Sequence, residues 1–109
     1  MRILIFGAGD YYERYKKWLA QEEILALMDN SPQKQGTEVD GLKVMSPEEA
    51  VGLPYEKIVI LSFYVKEMKK QLIGLKVEEK DILHFYDLHD FLRGRKPVYP
   101  ADASEGARQ

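Results

Sequence analysis

The chain has no cysteine among its 109 residues. This absence excludes disulfide bonds, thiolate zinc sites and a cysteine nucleophile, and it is typical of a reducing compartment. Long apolar runs are also missing: the run at the start, Ile3 to Phe6, is far shorter than a membrane span or the core of a signal peptide. We therefore expect a cytoplasmic protein that is not embedded in a membrane.

The chain has no large excess of charge of either sign. Sixteen basic and eighteen acidic side chains are interspersed and give a formal charge of −2, so we expect no binding to nucleic acid. His84 and His89 have no further ligands at metal spacing, so we expect no metal site. With 45% hydrophobic and 31% charged residues, the composition is that of an ordinary globular protein.

The length fits one domain, which we predict over residues 1–93. Residues 94–109 contain two prolines and no apolar periodicity, and we predict an exposed tail or linker there. Short apolar runs bounded by turn residues predict five strands, at residues 2–6, 24–28, 42–45, 58–61 and 82–86. The polar stretch from Gln33 ends at Asp40-Gly41, a dipeptide that favours a tight turn.

Helical segments separate most of these strands. Apolar spacing predicts helices over residues 11–22 and 65–75 and a helical turn over 88–92. Ser46-Pro47-Glu48-Glu49 has the capping-box pattern, so a short helix should begin there. The alternation predicts an α/β, three-layer, Rossmann-like fold with a mostly parallel five-stranded sheet in the order 3-2-1-4-5.

The first strand runs directly into Gly7-Ala8-Gly9-Asp10-Tyr11, which opens a helix. That context is the one that a dinucleotide fingerprint requires, because glycines allow a sharp turn and let backbone amides approach a phosphate. Asp10 is the predicted N-cap of the helix, where it would occupy amides and repel a phosphate. Tyr12 stands where the fingerprint has its third glycine, which predicts a helix that is tilted or further from the sheet.

Two further positions fall at the ends of predicted strands. Asp29 lies twenty residues after Gly9 and could accept hydrogen bonds from a ribose, or it could only begin a turn through Asn30. Ser62 follows the fourth strand and could donate to a phosphate or ribose, with Phe63 or Tyr64 stacking on a base, or it could cap a helix. Tyr12 and Lys16 have the Tyr-x-x-x-Lys spacing of short-chain dehydrogenases, but they lie on the wrong helix for that role.

The segments ILIFGAGD, LMDNSPQKQGTEVDGLKVMSPEE and KIVILS resemble the small Rossmann-like, CoA-binding-type domains of bacterial surface-polysaccharide enzymes. These enzymes include nucleotide-sugar dehydratases, sugar-phosphate transferases and acetyltransferases. The resemblance implies an accessory domain that binds a nucleotide, nucleotide-sugar or NAD-like ligand. Its matching positions imply the following ligand contacts: Gly7, Ala8, Gly9 and Asp10 at the phosphate loop, Asp29 and Asn30 at the nucleoside edge, and Ser62 at the next loop. We also predict a ligand contact at Tyr11, which continues the glycine-turn motif.

The chain offers no evident set of catalytic groups, so we expect chemistry to come from a partner domain or subunit. If the chain is part of an enzyme, the resemblance implies a glycan-biosynthesis transferase or a nucleotide-sugar dehydratase or epimerase. Two alternatives stay open. One is a non-catalytic module that keeps the fold and serves dimerisation or docking, and the other is a fragment of an NAD-dependent sugar-nucleotide epimerase or dehydratase.

Overall fold

The computed structural model describes residues 1–84 and Asp87. Within these residues there are six strands: β1 (Arg2–Phe6), β2 (Glu23–Met28), β3 (Glu38–Val39), β4 (Leu42–Met45), β5 (Lys57–Ile60) and β6 (Ile82–His84). The helices are α1 (Asp10–Tyr15), α2 (Pro47–Ala50) and α3 (Val65–Gly74), with 3₁₀ turns at Lys16–Leu19 and Glu79–Asp81. The predictions for residues 85–86, for the helical turn at 88–92, for His89 and for the tail at 94–109 lie outside the described residues.

The sheet has the order β3-β4-β2-β1-β5-β6, and all its neighbours are parallel except β3 and β4. The five predicted strands therefore stand in the predicted order, which confirms the Rossmann-like fold. β1 lies between β2 and β5, and the chain crosses from one side of β1 to the other between β4 and β5. Open α/β sheets bind ligands at such a point, outside the carboxyl ends of the strands.

The prediction of five strands was wrong by one short strand. β3 pairs antiparallel with β4 across the turn at Asp40-Gly41, where both residues have positive φ, of 55° and 77°. Two consecutive residues in this conformation are typical of a type I′ turn, which matches the twist of a hairpin. Because of this turn, Glu38 and Val39 of the polar stretch pair with β4 and form the edge strand of the sheet.

The core has two halves because side chains of a buried strand point alternately to opposite faces. On one face, Leu4 and Phe6 of β1 pack with residues of β2 and β5 and with Met68 and Leu72 of α3. On the other face, Ile3 and Ile5 pack with the following buried residues: Tyr12, Leu19, Leu27, Val44, Val59 and Leu61. Tyr15 and Trp18 are partly buried and pack against this second half. Helices on both faces complete the three layers.

The helix starts agree with the sequence at α2 and differ at α1. Ser46 caps α2, its Oγ accepting a hydrogen bond from the Glu49 amide at 3.2 Å, as the capping box predicted. The N-cap of α1 is Gly9 and not Asp10, and the helix has no side-chain cap. Asp10 is the first helical residue and is exposed, so the predicted capping by its carboxylate was wrong. The segment predicted as one helix to residue 22 tightens into a 3₁₀ turn at Lys16 before the chain enters β2.

Candidate functional site

A pocket of about 370 Å³ opens at the carboxyl ends of β1, β2 and β5. It is lined by Phe6, Gly7, Ala8, Gly9, Asp10, Tyr11, Asp29, Asn30, Lys34, Leu61, Ser62, Phe63, Tyr64 and Met68. All eight residues that the sequence singled out as ligand contacts are therefore brought together. Their contact with a ligand stays a prediction.

Gly7 makes the turn out of β1. Its φ is +121°, a conformation that side chains rarely adopt, and a Cβ at this position would lie 2.2 Å from the carbonyl oxygen of Leu61. The Gly7 amide donates a hydrogen bond to the carbonyl oxygen of Met28 at 2.8 Å. Gly7 is thus held between the ends of β2 and β5, with no space for a side chain.

The amides that follow Gly7 differ in what they bond. The Ala8 amide donates to Asp29 Oδ2 at 3.0 Å. Within the described part of the chain, the amides of Gly9 and Asp10 have no acceptor. Since backbone N–H groups are strong donors, these two amides at the pocket wall can receive an anionic group.

Both carboxylate oxygens of Asp29 accept hydrogen bonds from neighbouring loops. Its Oδ2 accepts from Ala8, and its Oδ1 accepts from the Ser31 amide at 2.9 Å, which forms the predicted Asx-type turn. The Gln35 side-chain amide donates to the Asp29 carbonyl oxygen at 2.9 Å. Asp29 therefore ties the end of β2 to the glycine turn, an arrangement that neither of its two sequence interpretations included.

Lys34 is a pocket residue that the site prediction missed. Its Nζ lies 3.9 Å from Asp29 Oδ2 and would lie 3.3 Å from a Cβ at Gly9. Among the residues that line the pocket, Lys34 is the only one with a cationic side chain. The available signal was composition: Lys34 is the only basic residue between Met28 and Lys43, in the loop that leaves β2.

Ser62 begins the aromatic side of the pocket. Its Oγ accepts from the Tyr64 amide at 3.1 Å, and α3 begins only at Val65 with Tyr64 as its N-cap, so Ser62 is not the helix cap. The Ser62 hydroxyl hydrogen is still available to donate, because this bond uses the oxygen as an acceptor. Phe63 and Tyr64 are 75% and 62% exposed, and their rings meet edge to face with centroids 5.6 Å apart.

Tyr12 points away from the pocket. It is 2% exposed, its ring lies in the core, and its hydroxyl donates to Asp40 Oδ2 at 2.7 Å. Burial raises the pKa of Tyr12 above its ordinary value, and the bond to Asp40 raises this pKa further. A tyrosine with a raised pKa stays protonated at neutral pH and is not available as a general base, so neither its protonation state nor its position away from the pocket supports the dehydrogenase role.

The hydrogen bond that Tyr12 donates to Asp40 lowers the pKa of the Asp40 carboxyl below its ordinary value, and the hydrogen bond from Lys16 lowers it further. We expect Tyr12→Phe to raise this pKa towards the ordinary value without reaching it, because Lys16 Nζ still donates at 3.0 Å. A lowered folded-state pKa stabilises the fold above the unfolded carboxyl's pKa, and this stabilisation is lost as the pH falls through the folded value. The difference in stability between the wild type and Tyr12→Phe should therefore be largest at neutral pH and smallest in acid.

An NMR titration of the Asp40 carboxyl, with urea unfolding at several pH values, measures both effects. Tyr64→Phe, which changes a tyrosine on the pocket side, is the control and should leave the Asp40 midpoint unchanged. An unchanged midpoint in Tyr12→Phe would contradict the assignment of the shift to this hydrogen bond.

Within residues 1–84 and Asp87, no group of three or more His, Asp or Glu side chains is placed to hold a metal ion. In the same part of the chain, no helix has both the length and the apolar character that crossing a bilayer requires.

Solved structures share the fold. UDP-D-quinovosamine 4-dehydrogenase from Vibrio fischeri superposes with a TM-score of 0.59 at 23% identity, over 90% of this chain and 93% of that one. RSP, solved in complex with β-NAD⁺ and operator DNA, superposes with a TM-score of 0.56 at 12% identity, over 85% of this chain and 57% of that one.

These identities support the Rossmann-like fold alone. A comparison with curated protein sequences finds no match. A family model does match, over residues 1–83: the chain belongs to the family described as C2185-like, N-terminal.

Proposed function

We propose that this chain is a nucleotide- or nucleotide-sugar-binding accessory domain of bacterial surface-polysaccharide biosynthesis, acting in the cytoplasm, whose chemistry is supplied by another domain or subunit. The proposal rests on the pocket at the carboxyl end of β1, where the strand order reverses between β2 and β5. It combines the unbonded amides of Gly9 and Asp10, the Lys34 ammonium and an exposed pair of aromatic rings. Anion donors on one side and aromatic surface on the other are what a nucleotide needs.

The phosphate end of the ligand is assigned to the Gly7–Tyr11 turn and Lys34. Asp29 already accepts two amide hydrogen bonds, so it does not depend on the Lys34 ammonium 3.9 Å away. An ion pair at this distance between a half-exposed lysine and a satisfied carboxylate contributes little, so Lys34 can turn to a phosphate at small cost. The exposed Asp10 carboxylate disfavours a highly charged ligand, which favours one with few phosphates.

The base and sugar end is assigned to the β5–α3 segment. Ser62 can donate its hydroxyl hydrogen to the ligand, while Phe63 and Tyr64 offer ring faces that are largely exposed to solvent. Aromatic stacking accepts any base, so this surface fits nucleotides as a class and does not select one.

The biosynthetic context is supported by the sequence resemblance to domains of surface-polysaccharide enzymes. One structural neighbour is named as a UDP-sugar dehydrogenase, which agrees with that context. The ligand proposed for this chain is accordingly a nucleotide-sugar first and NAD second. The pocket residues include no nucleophile paired with a base, which supports binding without turnover.

Calorimetric titration with UDP-glucose, NAD and coenzyme A tests this function. We expect one of them to bind, and Lys34→Gln to weaken that binding about tenfold, because a charge-assisted bond to phosphate contributes about 1.5 kcal/mol or more. Lys43→Gln, which removes an exposed lysine of β4 that does not line the pocket, should bind as the wild type does. Absence of heat and of any melting shift at millimolar concentrations of all three probes would contradict the proposal.

A second function is favoured by one observation. Phe63 and Tyr64 are adjacent, exposed and aromatic, and such residues are enriched where proteins dock. If none of the three probes binds, and Phe63→Ala abolishes dimerisation or capture of a neighbouring biosynthetic enzyme, the chain is a docking module that retains the fold.

A further inference from the structure

Asp29 and Asn30, the two residues that follow β2, are each bonded to a different neighbouring segment. The Asp29 carboxylate accepts from the Ala8 amide in the glycine turn on β1. The Asn30 side chain bonds to Gln71 of α3, a residue 41 positions away. One dipeptide is thus joined to both of the other segments that enclose the pocket.

The bond between Asn30 and Gln71 is reciprocal. Asn30 Nδ2 donates to Gln71 Oε1 at 3.0 Å, and Gln71 Nε2 donates to Asn30 Oδ1 at 2.9 Å. The two amides therefore satisfy each other as donor and as acceptor. Each amide nitrogen keeps a second hydrogen and each oxygen a second lone pair, so this pair does not by itself prevent Asn30 from bonding to a ligand.

Gln71 lies outside the pocket lining, whereas Met68, one turn earlier on α3, is part of that lining. The helix also begins directly after Ser62, Phe63 and Tyr64. The pair between Asn30 and Gln71 therefore links the loop after β2 to α3, the helix that follows the aromatic side of the pocket.

We infer that Asp29 and Asn30 are positioning residues, which hold the three pocket segments in place, and that Asn30 acts on ligand affinity through Gln71. This inference rests on the proposed function for its binding measurement. It separates two roles that the sequence could not: a ligand contact at Asn30 makes no use of Gln71, whereas a positioning role needs both residues equally.

The test compares Asn30→Ala, Gln71→Ala and the double variant by calorimetry with UDP-glucose, NAD and coenzyme A. Because both bonds are lost in either single variant, we expect each to weaken binding about fivefold and the double variant to be no weaker. The exchanged pair, Asn30→Gln with Gln71→Asn, keeps one amide on each side and should restore affinity to within about twofold. Lys70→Ala, at an exposed neighbouring position of α3, is the matched control and should bind normally.

Weakening by Asn30→Ala but not by Gln71→Ala would overturn the inference in favour of direct ligand contact. Additive losses in the double variant would overturn it as well, because they would show independent roles.

A ligand-free measurement keeps this test separate from the proposed function. In the unliganded protein, Gln71→Ala should shift the side-chain amide resonances of Asn30 and the backbone amides of Ser62 to Tyr64, and Lys70→Ala should shift neither. If no probe binds the wild type but these shifts occur, the proposed function fails and the positioning role stands. If the resonances do not move, the positioning role is wrong whatever binds.

Discussion

Gly7→Ala is expected to lower the free energy of unfolding by about 2 to 6 kcal/mol, since backbone strain and an overpacked contact each cost about 1–3 kcal/mol. The strain arises because Gly7 has a φ of +121°. The contact arises because the added Cβ would lie 2.2 Å from the Leu61 carbonyl oxygen, which is backbone and cannot rotate away. Leu61 is itself fixed, since its amide donates to the Phe6 carbonyl oxygen at 2.9 Å.

Urea unfolding measures this loss, and Gly74→Ala is the matched control. Gly74 is the last residue of α3, and a Cβ there would meet no atom within 4 Å. The control should therefore change stability by less than about 1 kcal/mol, in the stabilising direction if at all. Equal unfolding midpoints for Gly7→Ala and the wild type would show that the ends of β1 and β5 are not packed as closely as described.

The strand order was predictable because the apolar runs of β1, β2 and β5 are continuous and bounded by turn residues. Such runs fit strands buried on both faces, and alternation with helices then leaves few topologies. The short β3 was not predictable from Glu38 and Val39, which carry no strand pattern of their own. Its pairing follows from the turn at Asp40-Gly41, whose two positive φ angles bring the chain back on itself.

The pocket residues were predictable for a related reason. Those at Gly7–Tyr11, Asp29–Asn30 and Ser62 follow the ends of parallel strands, and these ends meet at one edge of the sheet. The sequence could not indicate how their side chains are bonded. Lys34 approaches Gly9 from another loop, and Asn30 pairs with Gln71 across 41 positions, so both contacts depend on the assembled fold.

Gly9→Val is expected to weaken nucleotide binding at least tenfold while sparing the fold, in contrast to the change at Gly7. Gly9 has a φ of −120°, outside the left-handed region that favours glycine, and the nearest atom to its missing Cβ is Lys34 Nζ at 3.3 Å. That atom ends a flexible side chain and can move, so we expect a stability loss within about 1 kcal/mol, including the less favourable N-cap. The new isopropyl group would occupy the pocket wall and displace the ammonium from the turn.

Calorimetry with whichever of UDP-glucose, NAD and coenzyme A binds the wild type measures the effect, and urea unfolding measures the fold. We expect Gly9→Val to weaken binding at least tenfold, the equivalent of about 1.4 kcal/mol, and Gly9→Ala to weaken it less, because loss should grow with the volume added. Gly52→Val is the control: it adds the same group at a glycine whose nearest neighbour, the Glu49 carbonyl oxygen, is at an ordinary 3.4 Å and outside the pocket lining. Normal binding by Gly9→Val, with normal stability, would place the ligand elsewhere on the molecule, because no phosphate could approach the turn amides past that side chain.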